Sequence, residues 1–239
     1  MGEKNKQPVF LTAEWRKLVM ANFLIDPSIL KKYIPYKTEL DNWNGRHYVS
    51  IVGFMFLNTK VLGLSLPYHK DFDEVNLRFY VRYKENGKWK RGVTFIKEIV
   101  PKKIVSAVAN AIYSENYITL PMKREFVQNE NNFEVKYNFG SQNFLYAKAG
   151  NEKIVLKENS EEEFITEHFW GYTKCDDLKT SEYQVEHPRW DLYEIKNFEM
   201  NIDVKNIYGA EFVDTLSVKP HSVLLAEGSE IVVRKGRVI

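Results

Sequence analysis

Three features of this chain could carry chemistry: a lysine beside an apolar strand, a short stretch rich in acid and imidazole groups, and an arginine that alternates with apolar residues. The lysine is Lys123, which closes the stretch NYITLPMK at 116–123. An amine becomes a nucleophile near neutral pH only where burial or a second cation lowers its pKa. The stretch reads as the exit from a helix into a strand that ends at Pro121, so Lys123 stands either at the mouth of an apolar site or in solvent. The acid and imidazole groups are Glu167, His168, Cys175 and Asp176 in TEHFWGYTKCDD, with His187 following in HPRW. Zinc wants paired ligands at close spacing, such as two cysteines or two histidines three or four positions apart, and no such pair occurs. Neither a metal nor a cofactor is therefore expected. Cys175 precedes Asp176 and Asp177, whose charges raise a thiol pKa, so it is expected to be inert. The chain contains no nucleophile elbow, phosphate loop or dinucleotide fingerprint.

The elements that must position these groups are mostly strands. In NLRFYVRYKENGKWKRGVTFIKEI, Leu77, Phe79, Val81 and Tyr83 alternate with Asn76, Arg78, Tyr80 and Arg82, and a period of two puts the sets on opposite faces. Asn86-Gly87 supplies the two positive-φ positions of a tight hairpin turn, and Asn44-Gly45 predicts an earlier hairpin before RHYVSIVGF. Further strands are expected at 133–139, 143–149, 182–188, 200–204, 222–228 and 230–236. Helices are few: DPSILKKYIP, with Asp26 as cap, Pro27 at the first position and Pro35 as stop; KIVSAVANAIYS at 103–114, packing across the sheet; and NIYGAEFVDTL at 206–216. With no linker and no repeat, the expectation is one mostly β (α+β) domain over 1–239, a curved sheet or open barrel with helices packed on it.

Composition narrows the function. Hydrophobic residues at 44% and aromatics at 14% supply a sizeable core, while 34 basic against 32 acidic residues give a net charge of only +2. No basic run could track phosphates, so nucleic acid is not an expected partner. The longest uncharged apolar stretch, 48–59, is too short to span a bilayer as a helix, and MGEKNKQPVFLTAEWRK lacks the apolar core of a signal peptide. With Cys175 as the single cysteine no internal disulfide is possible, which fits a cytoplasmic setting. Oligomeric state is not legible.

Five stretches in order resemble a bacterial YqjF-like family of unknown function: ANFLIDPSILKKYIP, EVNLRFYVR, GVTFIKEI leading to NYITLPM, FITEHFWGY and EHPRW. The chain departs from the family pattern at Asn22, His168-Phe169 and Arg189. That resemblance implies a fold similar to the acetoacetate decarboxylase superfamily, a curved β architecture around a central pocket. Its decarboxylases end a strand in Phe-Pro-Lys-Lys, the first lysine forming the Schiff base. The matching stretch here is Leu120-Pro121-Met122-Lys123, so the resemblance implies a pocket without its nucleophile, and Pro101-Lys102-Lys103 imitates the motif in the wrong place. Lys123 is then expected in solvent, because neighbours on a strand face opposite ways.

The expected site is a pocket for a small organic acid or carbonyl compound, drawn from Glu74, Asn76, Arg78, Tyr80, Met122, Glu167, His168 and His187. Should the polar face of the hairpin strand point inward, Arg78 needs an anion, with Glu74 the nearest candidate in the chain. Two alternatives stand beside the binder: an enzyme using Glu74, Glu167, His168 or His187 as acid and base, and a structural or interaction module.

Overall fold

The structure is a computed structural model and describes residues 6–65, 68–103, 105–106 and 116–239. Of the helix expected at 103–114, only Lys103, Val105 and Ser106 are among the described residues, and the rest lies outside them. Among the described residues fourteen strands join one sheet. They are β1 (Val9–Leu24), β2 (Thr38–Leu40), β3 (Tyr48–Val61), β4 (Phe72–Glu85), β5 (Lys88–Val100), β6 (Tyr117–Thr119) and β7 (Met122–Gln128). The chain continues with β8 (Asn132–Phe139), β9 (Asn143–Ile154), β10 (Trp170–Asp176), β11 (Lys179–Glu186), β12 (Leu192–Asn201), β13 (Ser222–Arg234) and β14 (Arg237–Val238).

Neighbouring strands run β11-β10-β5-β4-β3-β1-β13, and β11 also pairs with β13 through Val185 opposite Val233. That extra pairing closes the path into a barrel. From β13 the sheet continues as β12-β9-β8-β7 and packs over the outside of the barrel wall. The alternation in β4 follows from this doubling. Leu77, Phe79 and Val81 face the outer layer and pack with Phe133, Val135 and Tyr137. Asn76 and Arg78 face the barrel interior. Both faces of β4 are thus interior, and the choice between an inward and an outward polar set does not arise.

Turn chemistry acts locally where it was expected. Asn86 and Gly87 have φ of 50° and 79° and connect β4 to β5. Asn44 and Gly45 have φ of 51° and 79° and close a bridge between Trp43 and Arg46. That turn does not join two sheet neighbours, however, because β2 pairs with β4 and not with β3. The stretches expected at 222–228 and 230–236 belong to the single strand β13, which ends at Arg234 and carries Gly228 at a φ of 81°, and Asp203 caps a helix where a strand through 204 was expected.

Among the described residues the α-helices are short: α1 (Pro27–Leu30), α2 (Glu161–Thr166), α3 (Val204–Ile207) and α4 (Val213–Leu216). In α1 the Asp26 carboxylate accepts from the Ser28 N–H at 2.8 Å and Pro27 opens the first turn, as its sequence dictates. The stretch 206–216 is helical in pieces, interrupted at Gly209, whose φ is 121°. Helix α2 begins at Ser160, whose hydroxyl accepts from the Glu163 N–H at 3.2 Å. It lays Phe164 against the rings of Tyr48, Tyr80 and His168 and so covers one end of the barrel.

Candidate functional site

Every strand of the closed barrel contributes to one interior cavity of about 170 Å³. Most of its lining is apolar and aromatic, including Trp15, Phe54, Phe56, Phe72, Val93 and Phe95. The charged and amide groups are Glu74, Asn76 and Arg78 from β4 and Glu98 from β5; His168, between α2 and β10, and His69 add imidazoles, and Thr59, Tyr117 and Tyr183 add hydroxyls. Glu98 was not foreseen. Strict alternation in β5 after Val93 and Phe95 would turn Lys97 inward, but the register slips there, with Arg78 opposite Phe95 and Leu77 opposite Lys97. Ile96 is the extra residue of a bulge, and the bulge brings Glu98 to the cavity side.

Glu74 and Arg78 do not pair. The Glu74 carboxylate is buried and accepts from Asn76 Nδ2 at 2.8 Å and from the Tyr117 hydroxyl at 3.1 Å. The Arg78 guanidinium donates to the Ile165 carbonyl at 3.5 Å and lies 3.8 Å from Met20 Sδ; its Nε is buried and has no partner. No carboxylate among the described residues forms an ion pair with Arg78, whereas the surface arginines 82, 91, 124, 189, 234 and 237 all do.

His168 is held from behind. Its Nε2 lies 3.3 Å from Asp41 Oδ2, and the same oxygen accepts from Arg91 Nε at 2.6 Å. Since an ionised carboxylate only accepts, Asp41 fixes the imidazole N–H on Nε2, and Nδ1 is left as an acceptor with no partner. Burial lowers the His168 pKa to about 4 in spite of Asp41, with Arg91 and Arg78 adding to the fall, so the ring is neutral at pH 7. Burial of Asp41 itself is outweighed by His168 and Arg91, and its carboxyl stays below the ordinary value.

Tyr80 is buried beside the cavity, its ring 4.8 Å from that of His168 and 5.8 Å from the Arg78 guanidinium, but its hydroxyl is engaged by Ser50 Oγ at 2.7 Å. The remaining candidates do not line the cavity. Met122 packs on the outer-layer core, because β7 belongs to that layer. Glu167 ends α2 and pairs with Arg189 Nε at 3.0 Å near the surface. His187 stacks on Trp190 at 4.1 Å, behind the wall formed by Trp15, and Nδ1 bonds the Pro188 carbonyl at 2.8 Å; burial lowers its pKa. Lys123 is exposed, with Glu125 as a loose partner at 3.7 Å. No lysine is among the described residues lining the cavity. Incubation with acetoacetate and borohydride is accordingly expected to leave the mass of the protein unchanged, and a reduced adduct found on Lys123 or Lys102 by peptide mapping would contradict this geometry.

Among the described residues there is no group of three acidic, histidine or cysteine side chains arranged to hold a metal, and no helix long and apolar enough to cross a membrane. The fold just described, strands in a closed barrel with an outer sheet layer, is one the chain shares with acetoacetate decarboxylase. The chain superposes on acetoacetate decarboxylase from Legionella pneumophila with a TM-score of 0.64 and 14% identity, over 98% of this chain and 89% of that one. It superposes on the enduracididine biosynthesis enzyme MppR complexed with pyruvate with a TM-score of 0.64 and 9% identity, over 97% and 90%. At such identities the fold alone is shared. The chain belongs to DUF2071, a family described as an uncharacterized conserved protein, which matches residues 12–230. It is also 31% identical over 112 residues to the uncharacterized protein YqjF of Bacillus subtilis (strain 168); the match spans 46% of this chain and 45% of that relative, less than half its length.

Proposed function

We propose that this protein binds a small organic acid or carbonyl compound inside the barrel, with Arg78 holding the carboxylate. The observation that carries this reading is a guanidinium on the wall of a largely apolar cavity, its Nε buried without a hydrogen-bond partner and forming no ion pair with a carboxylate among the described residues, although Glu74 and Glu98 line the same cavity. A charge taken out of water without a counter-ion is costly, and a ligand carboxylate offsets that cost through charge-assisted hydrogen bonds. The volume supports a small ligand, since a cavity of roughly 150 Å³ accepts benzene. A protein of the same fold complexed with pyruvate is in keeping with this scale. Glu74, Asn76 and His168 would complete the polar wall, and Tyr80 would back it; a cytoplasmic setting goes with the same reading.

The test is a thermal-shift series with pyruvate, acetoacetate and 4-methylpentanoate on the wild type and on Arg78→Met. Ligand at a hundredfold excess over Kd stabilises the native state by about 2.7 kcal/mol. In a chain of this size that raises Tm by roughly 5 to 10 °C. The expected result is a rise in the wild type that falls by more than half in Arg78→Met. Equal rises in both would remove the arginine from the site.

The Asp41–His168 pair favours a second reading, acid–base catalysis on the bound ligand: a neutral imidazole oriented by a carboxylate is the arrangement of a general base. Turnover of a bound acid that is lost in His168→Gln, with binding retained, would favour it over simple binding.

A further inference from the structure

The cavity wall holds unpartnered polar atoms of both kinds, and they constrain the ligand beyond its charge. The donors are Arg78 Nε and Trp15 Nε1, both buried and without a partner among the described residues. The acceptors are Asn76 Oδ1 and His168 Nδ1, likewise buried and unpartnered, and the Thr59 hydroxyl on the same wall is also unpartnered and can act either way. Buried polar atoms are nearly always satisfied in folded proteins, so a group of them on one wall describes what the wall is built to meet.

The acceptor character of two of them is fixed by their neighbours. Asn76 donates Nδ2 to the Glu74 carboxylate, which leaves its oxygen toward the remaining space. His168 donates Nε2–H to Asp41, which Arg91 holds in place, so Nδ1 carries the lone pair. A carboxylate has no hydrogen to give and satisfies only the donors. A keto oxygen likewise only accepts. The acceptors call for an O–H or N–H on the same ligand.

Resting on the reading of Arg78 as the carboxylate anchor, we infer that the preferred ligand is a hydroxy acid with a short branched or aromatic apolar body. Its carboxylate meets Arg78, its hydroxyl donates to His168 Nδ1 or Asn76 Oδ1, and its hydrocarbon part fills the space among Phe54, Phe56 and Phe72. The His168 ring stays neutral through the physiological range, because burial and the two arginines outweigh Asp41, and so it remains an acceptor there. A site that places buried acceptors against a ligand hydroxyl discriminates strongly against the analogue without one, since the acceptors are then buried unmet.

The experiment is calorimetric titration of the wild type at pH 7 with three acids of one skeleton: each enantiomer of 2-hydroxy-4-methylpentanoate, 4-methylpentanoate, and 4-methyl-2-oxopentanoate. One hydroxy enantiomer is expected to bind at least tenfold tighter than both the deoxy and the keto acid. In at least one of His168→Phe and Asn76→Leu that ratio is expected to fall to about twofold or less. Equal binding of all three acids to the wild type would overturn the inference and leave the arginine anchor standing. A hydroxyl preference undiminished in both variants would overturn it as well. Failure of every acid to bind would overturn the inference together with the reading beneath it.

Discussion

Gly228→Ala is expected to destabilise the protein by roughly 4 kcal/mol, at the upper end of single-residue effects, whereas Gly87→Ala is expected to cost about 1 kcal/mol. The two glycines have nearly the same φ, 81° and 79°. Strain from a side chain at positive φ is therefore common to both. They differ in what a Cβ would meet. At Gly87 nothing lies within 4 Å, while at Gly228 the Trp15 carbonyl oxygen stands 1.9 Å away and its carbon 2.7 Å. That carbonyl belongs to β1, paired along its length with β13, and cannot yield without parting the two strands. Since Trp15 also lines the cavity, any adjustment that accommodates the methyl moves the wall of the site. Urea unfolding of the two variants measures the difference. A Gly228→Ala midpoint equal to that of Gly87→Ala would show that the strand pair shifts at little cost.

The wild type is expected to lose about 3 kcal/mol of stability, relative to His168→Gln, as pH falls from 7 to 4. The His168 pKa in the folded chain is about 4, against an ordinary value of 6.5, with burial as the first cause. Between those two values the unfolded chain binds a proton that the folded chain refuses, so stability falls as pH falls through the window. His187, also lowered by burial, contributes in the same direction and is common to both proteins. The charged groups facing His168 are Asp41, Arg91 and Arg78, and Asp41 titrates below the window because its own carboxyl is lowered. Denaturant titrations at half-unit steps of pH give the two curves. Parallel curves would mean that His168 protonates in the fold as freely as in the open chain.

The sequence by itself settled what depends on near neighbours. Alternation in 76–83 defined a strand with one apolar and one polar face, Asn86-Gly87 defined its turn, and Asp26-Pro27 defined the start of α1; each rests on backbone preferences over two or three residues. The stretches quoted for the YqjF-like resemblance led to the family and the fold. Some local signals were present and not used: Ser160 followed three positions later by Glu163 marks the start of α2, and 9–24, the longest strand, alternates too weakly to stand out because β1 is buried over much of both faces.

Only the tertiary structure decided which groups meet. Closure of β11 onto β13 makes an inside, and the folding back of β12-β9-β8-β7 buries the opposite face of β4 as well, so no alternation pattern could say which face lines the cavity. The bulge at Ile96 exchanges Lys97 for Glu98 on the wall, a one-residue change of register with no mark in the sequence. Met122 follows β7 into the outer layer, Glu167 faces Arg189, and Glu74 turns to Asn76 and Tyr117, which leaves Arg78 unpaired. The partner of His168 is Asp41, 127 positions away in the chain. Contacts at such separation are fixed by strand order and register, and these are properties of the closed sheet as a whole; the residues that meet across it carry no local signal of one another.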